Sequence, residues 1–354
     1  MAAPANALPL PRFYDPQNAG RFDHRPDAQA LFGQADAFRA AHGLRPAAAD
    51  EVNLHLLLID VQKDFCFPEG SLYVGGRSGR GAIDDTRRIA EFIYRNLGRL
   101  TAITTTLDTH FAYQIFFPSF WLDRRGQHLQ PFREITTAQI DAGDVRPDPA
   151  VAKWLCNGNY GWLLAQVRHY TSELERSGKY TLYLWPPHCL LGSEGHAVAG
   201  LVQEARLFHS YVRGAQSWAE VKGGNPLTEN YSVLRPEVLT RHDGLPLAQR
   251  NTQFLKTLLA SDAVIVGGQA ASHCVRSSID DLLGEIAAQD PKLAGKVYLL
   301  TDCMSSVVVP DGKGGFAADF TPQAEASLQK FAAAGMHLVE STDALERWPG
   351  LRLK

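Results

Sequence analysis

The sequence has 354 residues, 45% of them hydrophobic and 21% charged, and its 35 basic and 38 acidic residues leave a net charge of -3. That balance excludes a chain disordered throughout, and the scattered charges leave no footprint for nucleic acid or an anionic membrane, so a small-molecule substrate is the expected partner. Five irregularly spaced cysteines make no disulfide framework, no stretch reaches the roughly 20 apolar residues of a bilayer span, and no basic-then-apolar leader opens the chain, so a cytoplasmic protein with reduced thiols is expected.

Residues 1–50 are rich in Ala and Pro, with one helix-like stretch at Asp27–Ala41. They read as an arm ahead of a domain spanning 51–349, an arm suited to packing on a neighbouring subunit of a homo-oligomer. Leu54–Asp60 then forms an apolar run too short for a typical helix, as a strand buried on both faces requires. Comparable runs follow at Leu100–Asp108, Trp218–Gly223, Asp262–Gly268, Lys296–Asp302 and Met336–Ser341. Helical periodicity fills the gaps at Asp84–Leu97, Ala197–Val212, Leu247–Leu259, Val275–Ala288 and Pro322–Ala334. The alternation predicts an α/β fold: a mostly parallel six-stranded sheet between two helical layers, joined by right-handed crossovers. Residues 117–183 break the alternation. They read as an insertion, with a helix near Trp162–Arg176, over the carboxyl edge of the sheet where ligands bind.

Chemistry-bearing residues gather at that edge. Asp60 ends the first strand, either as a carboxylate tuned by its neighbours or as a simple turn cap. Asp108 and His110 end the second, on the same side of an extended chain, and can meet one cation. In WPPHC, two prolines fix the backbone before His188, a possible third ligand, and Trp185 offers a flat wall. Cys274 sits where the fourth strand turns into a helix, whose dipole and free N–H groups favour a thiolate and an oxyanion; a buried structural cysteine is the bland alternative. Lys222 ends another strand, placed to stabilise a neighbouring thiol and carboxylate, unless it is merely solvated.

IDVQKDFCFPEGSL, TLDTH, WPPHC, EVKGG followed by ENYS, and GGQAASHCVRSS occur in an order that resembles the nicotinamidases of the isochorismatase-like cysteine hydrolases. The resemblance implies the isochorismatase-like hydrolase fold, a catalytic triad of Asp60, Lys222 and Cys274, and metal ligation by Asp108, His110 and His188. It implies zinc as the first candidate metal, with iron or manganese as alternatives. Phe65 and Trp185 would sandwich the substrate ring, a cis peptide would join Gln269 to Ala270, and the N–H groups of Ala270 and Cys274 would form the oxyanion hole. The implied reaction is hydrolysis of nicotinamide to nicotinate and ammonia through a thioester. Alternatives are hydrolysis of another small amide, ureide or carbamoyl compound, and a non-catalytic scaffold of the same fold. Three departures stand out: Gln114 occupies a position where the family commonly has a histidine, and Gln269 and Ser272 replace the usual apolar and acidic residues of the nucleophile turn.

Overall fold

The computed structural model describes residues 7–178 and 180–353. Residues 1–6 of the expected arm and residue 179 of the expected insertion lie outside the described residues. Six strands form the central sheet: β1 (Leu54–Ile59), β2 (Leu100–Asp108), β3 (Trp218–Lys222), β4 (Ala263–Gly268), β5 (Val297–Leu300) and β6 (His337–Val339). Their order is β6-β5-β4-β1-β2-β3, and every neighbouring pair is parallel.

All six residues of β1 are buried, which accounts for its unbroken apolar run. Leu54, Leu56 and Leu58 face one apolar cluster and Leu57 and Ile59 the other, because successive side chains leave a strand on opposite sides. The first cluster takes in α2 (Gly81–Arg95) and α4 (Gly200–Arg213), through residues such as Phe92 and Phe208. The second takes in α5 (Thr252–Ala260), α6 (Cys274–Gln289) and α7 (Thr321–Ala333), through Leu255, Ile279 and Phe331. Three layers result, each buried leucine contributing roughly 2 kcal/mol against exposure.

The arm packs against its own chain. Its helix α1 (Ala28–Ala41) is capped by the Asp27 carboxylate and buries Leu31 and Ala35 in the first cluster. Phe13 meets Tyr94 and Phe208 edge-on, at ring separations of 6.0 and 4.9 Å. The segment therefore completes the outer side of the α2–α4 layer of its own chain.

Residues 117–183 build a compact cap. Trp121–Asp123 pairs antiparallel with Val145–Pro147, and Arg133–Ile135 with Leu182–Leu184. Helix α3 (Tyr160–Ser177), capped by Asn159, packs Leu163, Val167 and Tyr170 into a third cluster with Trp121 and Phe120. That cluster also contains Phe116 and Trp185, which flank the cap in sequence. Val308–Pro310 and Phe316–Asp319, unread in the sequence, pair antiparallel.

Candidate active site

A parallel sheet delivers all its carboxyl ends to one edge, and the expected residues meet there. Asp108 and Lys222 are register partners at the ends of β2 and β3. Asp60 follows β1 with φ of 47°, a left-handed conformation uncommon outside glycine, held by its own N–H donating to Thr106 Oγ1 at 2.9 Å. The Thr106 hydroxyl donates back to the Asp60 carboxylate. Two glycines permit the close approach. A Cβ on Gly268 would lie 2.1 Å from the Ile59 carbonyl, and one on Gly223 would lie 2.6 Å from His110 Cε1 and 2.8 Å from Asp108 Oδ1. Both have positive φ.

Lys222 is the hub. Its Nζ lies 2.8 Å from Asp60 Oδ2, 3.0 Å from Asp108 Oδ1 and 3.6 Å from Cys274 Sγ, and it donates to the Asn230 carbonyl at 3.0 Å. Burial works against the ammonium, but Asp108, Asp60 and Cys274 hold its pKa well above the ordinary lysine value. Burial raises Asp60, with the Asp108 charge adding to it and Lys222 opposing. Cys274 begins α6 as expected, after a cis peptide between Gln269 and Ala270. Among the described residues, the N–H groups of Ala270 and Cys274 have no protein acceptor.

The thiol departs from the sequence expectation. Burial pushes Cys274 well above the usual thiol range, Asp60 and Asp108 reinforce the shift, and Lys222 only partly offsets it. Burial and the two neighbouring carboxyls thus favour the thiol form, and the Lys222 ammonium favours the thiolate. All five cysteines are free, as the irregular spacing suggested.

Asp108, His110 and His188 bring one ligand atom each within 4.8 Å of one another, all three buried. His110 Nε2 is 2.8 Å and His188 Nε2 3.6 Å from Asp108 Oδ2. The other ring nitrogens have backbone partners: His188 Nδ1 donates to the Pro186 carbonyl at 2.8 Å, and His110 Nδ1 lies 3.3 Å from the Gly223 carbonyl. Backbone acceptors at Nδ1 leave both Nε2 lone pairs facing one carboxylate, so the donor set fits a divalent cation. Although burial opposes it, the surrounding His110 and Lys222 hold the Asp108 carboxyl well below its usual range. Gln114 supplies no further ring nitrogen. It donates to the Gly223 carbonyl at 3.1 Å and lies 3.4 Å from His110 Nδ1, bracing that imidazole from behind.

Cys274, Asp108, His110 and His188 line one cleft with Phe65, Trp185, Phe116, Tyr231 and Ala270. Phe65 and Trp185, the expected ring clamp, are both buried in its walls.

Other contributors went unread. Gln62, within IDVQKDF, clamps the end of β2: its amide donates to the Asp108 carbonyl at 2.9 Å and accepts the Asp108 N–H at 2.8 Å. Asp64 accepts the Cys189 N–H at 2.6 Å, fixing the turn after His188 where Cys189 has φ of 47°. Glu229 lines the cleft as well. The two departures in the nucleophile turn have local partners. Gln269 donates to Asp85 at 2.9 Å, and Ser272 Oγ accepts the Val307 N–H at 3.1 Å.

Yeast nicotinamidase bound to the inhibitor nicotinaldehyde superposes with a TM-score of 0.50 at 16% identity, over 81% of this chain and 99% of that one. The fold is that of the nicotinamidases. A nicotinamidase pyrazinamidase from Acinetobacter baumanii matches at 20% identity and TM-score 0.47, over 82% of this chain and 97% of that one. The pyrazinamidase of Pyrococcus horikoshii in complex with zinc matches at 18% identity and TM-score 0.43, over 81% and 99%. No protein-family model matches the chain, and no curated protein matches it in sequence. No helix among the described residues is long and apolar enough to cross a membrane.

Proposed function

We propose that the chain is a cysteine amide hydrolase, with nicotinamide as the first candidate substrate. The observation that carries this reading is the meeting of Cys274, Asp60 and Lys222 beside three convergent metal-type donors, in a cleft walled by Phe65 and Trp185. Residues 51–349 serve as the hydrolase domain, residues 1–50 as its arm and residues 117–183 as an insertion shaping the cleft.

Asp60 accepts the thiol proton as Cys274 Sγ attacks the amide carbonyl, and Lys222 compensates the negative charge passing between them. The N–H groups of Ala270 and Cys274 receive the oxyanion, each worth about 3 kcal/mol in the transition state. Asp60 returns the proton to the departing ammonia. A water molecule then attacks the thioester, giving up its proton to Asp60, and the carboxylic acid leaves with Cys274 restored. A divalent cation held by Asp108, His110 and His188, zinc first and iron or manganese next, would supply a Lewis acid that orients a ring nitrogen or a water beside the nucleophile.

A second reading keeps the chemistry and changes the substrate to another small amide, ureide or carbamoyl compound. Gln114, in place of a further histidine, and the large insertion favour it. Ammonia release across aromatic, cyclic and aliphatic amides tests both readings. Preference for planar aromatic amides, lost in Cys274→Ala, supports the first; preference for a ureide supports the second. No release from any of them removes both.

A further inference from the structure

Glu229 has no part in the chemistry above, yet its side chain is fully buried in the wall of the cleft. Its Oε1 accepts the Tyr231 hydroxyl and its Oε2 the Tyr170 hydroxyl, each at 2.8 Å. The Tyr170 oxygen in turn accepts the Glu229 N–H at 3.0 Å. The chain continues toward the cleft, where Trp185 Nε1–H donates to the Tyr231 oxygen at 2.7 Å. Tyr170 belongs to α3 of the cap, so one carboxyl joins the cap, the loop after β3 and the indole wall. The adjacent residue acts on the nucleophile's side, since the Asn230 carbonyl accepts from Lys222.

A buried glutamate satisfied by two phenols is ordinarily a staple of the core. What sets this one apart is where the chain ends, on a residue that walls the cleft. Trp185 also meets Tyr183 and His273, at ring separations of 4.8 and 5.3 Å, but the bond to Tyr231 is the polar contact that fixes its rotation. Burial pushes the Glu229 carboxyl up to about 8 against the lowering effect of both tyrosines.

We propose that Glu229 is a positioning residue that, through Tyr231, holds the Trp185 indole against the substrate ring and ties the cap to that wall. The proposal rests on the reading of Trp185 as a substrate wall, and it sets specificity for planar aromatic amides without touching the nucleophile.

The test uses the full chain with 5-fluorotryptophan incorporated and the Trp185 resonance identified by its loss in Trp185→Phe. Wild type is expected to give one narrow fluorine line for Trp185. Tyr231→Phe and Glu229→Met broaden or split it, while Glu229→Gln, which keeps one acceptor, lies between. In the same variants the KM for a planar aromatic amide rises about tenfold, the scale of one lost hydrogen bond, with kcat within about twofold. The rate of Cys274 alkylation by iodoacetamide stays at the wild-type value. An unmoved Trp185 line in folded Tyr231→Phe overturns the proposal, and so does a loss of kcat equal to the rise in KM. If wild type hydrolyses no amide, the amidase reading fails, and the fluorine line still decides whether Glu229 orders Trp185.

Discussion

Lys222 Nζ and Asp108 Oδ1 lie 3.0 Å apart, so one buried ammonium joins the surroundings of Cys274 to the metal-type donors. The same nitrogen is 2.8 Å from Asp60. Two carboxylates this close, both buried, are tolerable only with that cation between them.

Lys222→Met is therefore expected to lower stability by about 3–5 kcal/mol, the cost of leaving a buried charge uncompensated. Amide hydrolysis should fall at least ~10²-fold. The double variant Lys222→Met/Asp60→Asn should recover part of the stability and none of the activity. Urea unfolding and ammonia assays check this, and simple additivity of the two stability losses would contradict it.

Gly223→Ala should disturb the metal-type donors before it disturbs the fold. The added Cβ meets His110 Cε1 and Asp108 Oδ1, and φ at this position is 84°. Zinc affinity is expected to drop roughly 10–100-fold, as when a supporting contact of a ligand is lost. Competition with a chromogenic chelator reads the change; an unaltered affinity would remove the three residues from consideration as the ligands.

His55 and His209 report on acid stability away from the cleft. Burial depresses each to about 4 from an ordinary 6.5. A base with a depressed folded pKa contributes stability that is complete above 6.5 and lost as pH falls toward 4. His209 Nε2 donates to the Leu100 carbonyl at 2.9 Å, so His209→Gln keeps a donor that does not titrate. Between pH 6.5 and 4, wild type should lose up to about 3 kcal/mol relative to that variant. Parallel stability curves would refute the assignment.

Much of this was legible because parallel strands carry their own signal. Leu54–Ile59 is a buried run and Leu100–Asp108 a largely buried one, and their ends fix where Asp60 and Asp108 fall. Cys274 was readable from the strand, glycines and helix around it. The state of its thiol was not, because that depends on two carboxylates far away in sequence. Glu229 and Gln62 were missed for a different reason. A glutamate in a loop and a glutamine after a strand look solvated until their partners, Tyr170 and the Asp108 backbone, are brought to them by folding. The arm's packing on its own chain was not read because its apolar residues, Phe13, Leu31 and Ala35, are too widely spaced to announce a buried face.

The most direct measurement is intact-protein and peptide mass analysis after acid quench of the enzyme during turnover of nicotinamide or the best amide found in the panel. A covalent acyl group on the Cys274 peptide is predicted, absent in Cys274→Ala, and accumulating when Asp60→Asn slows its hydrolysis. Turnover with an unmodified Cys274 peptide under every quench condition, or ammonia release by Cys274→Ala at the wild-type rate, would contradict it.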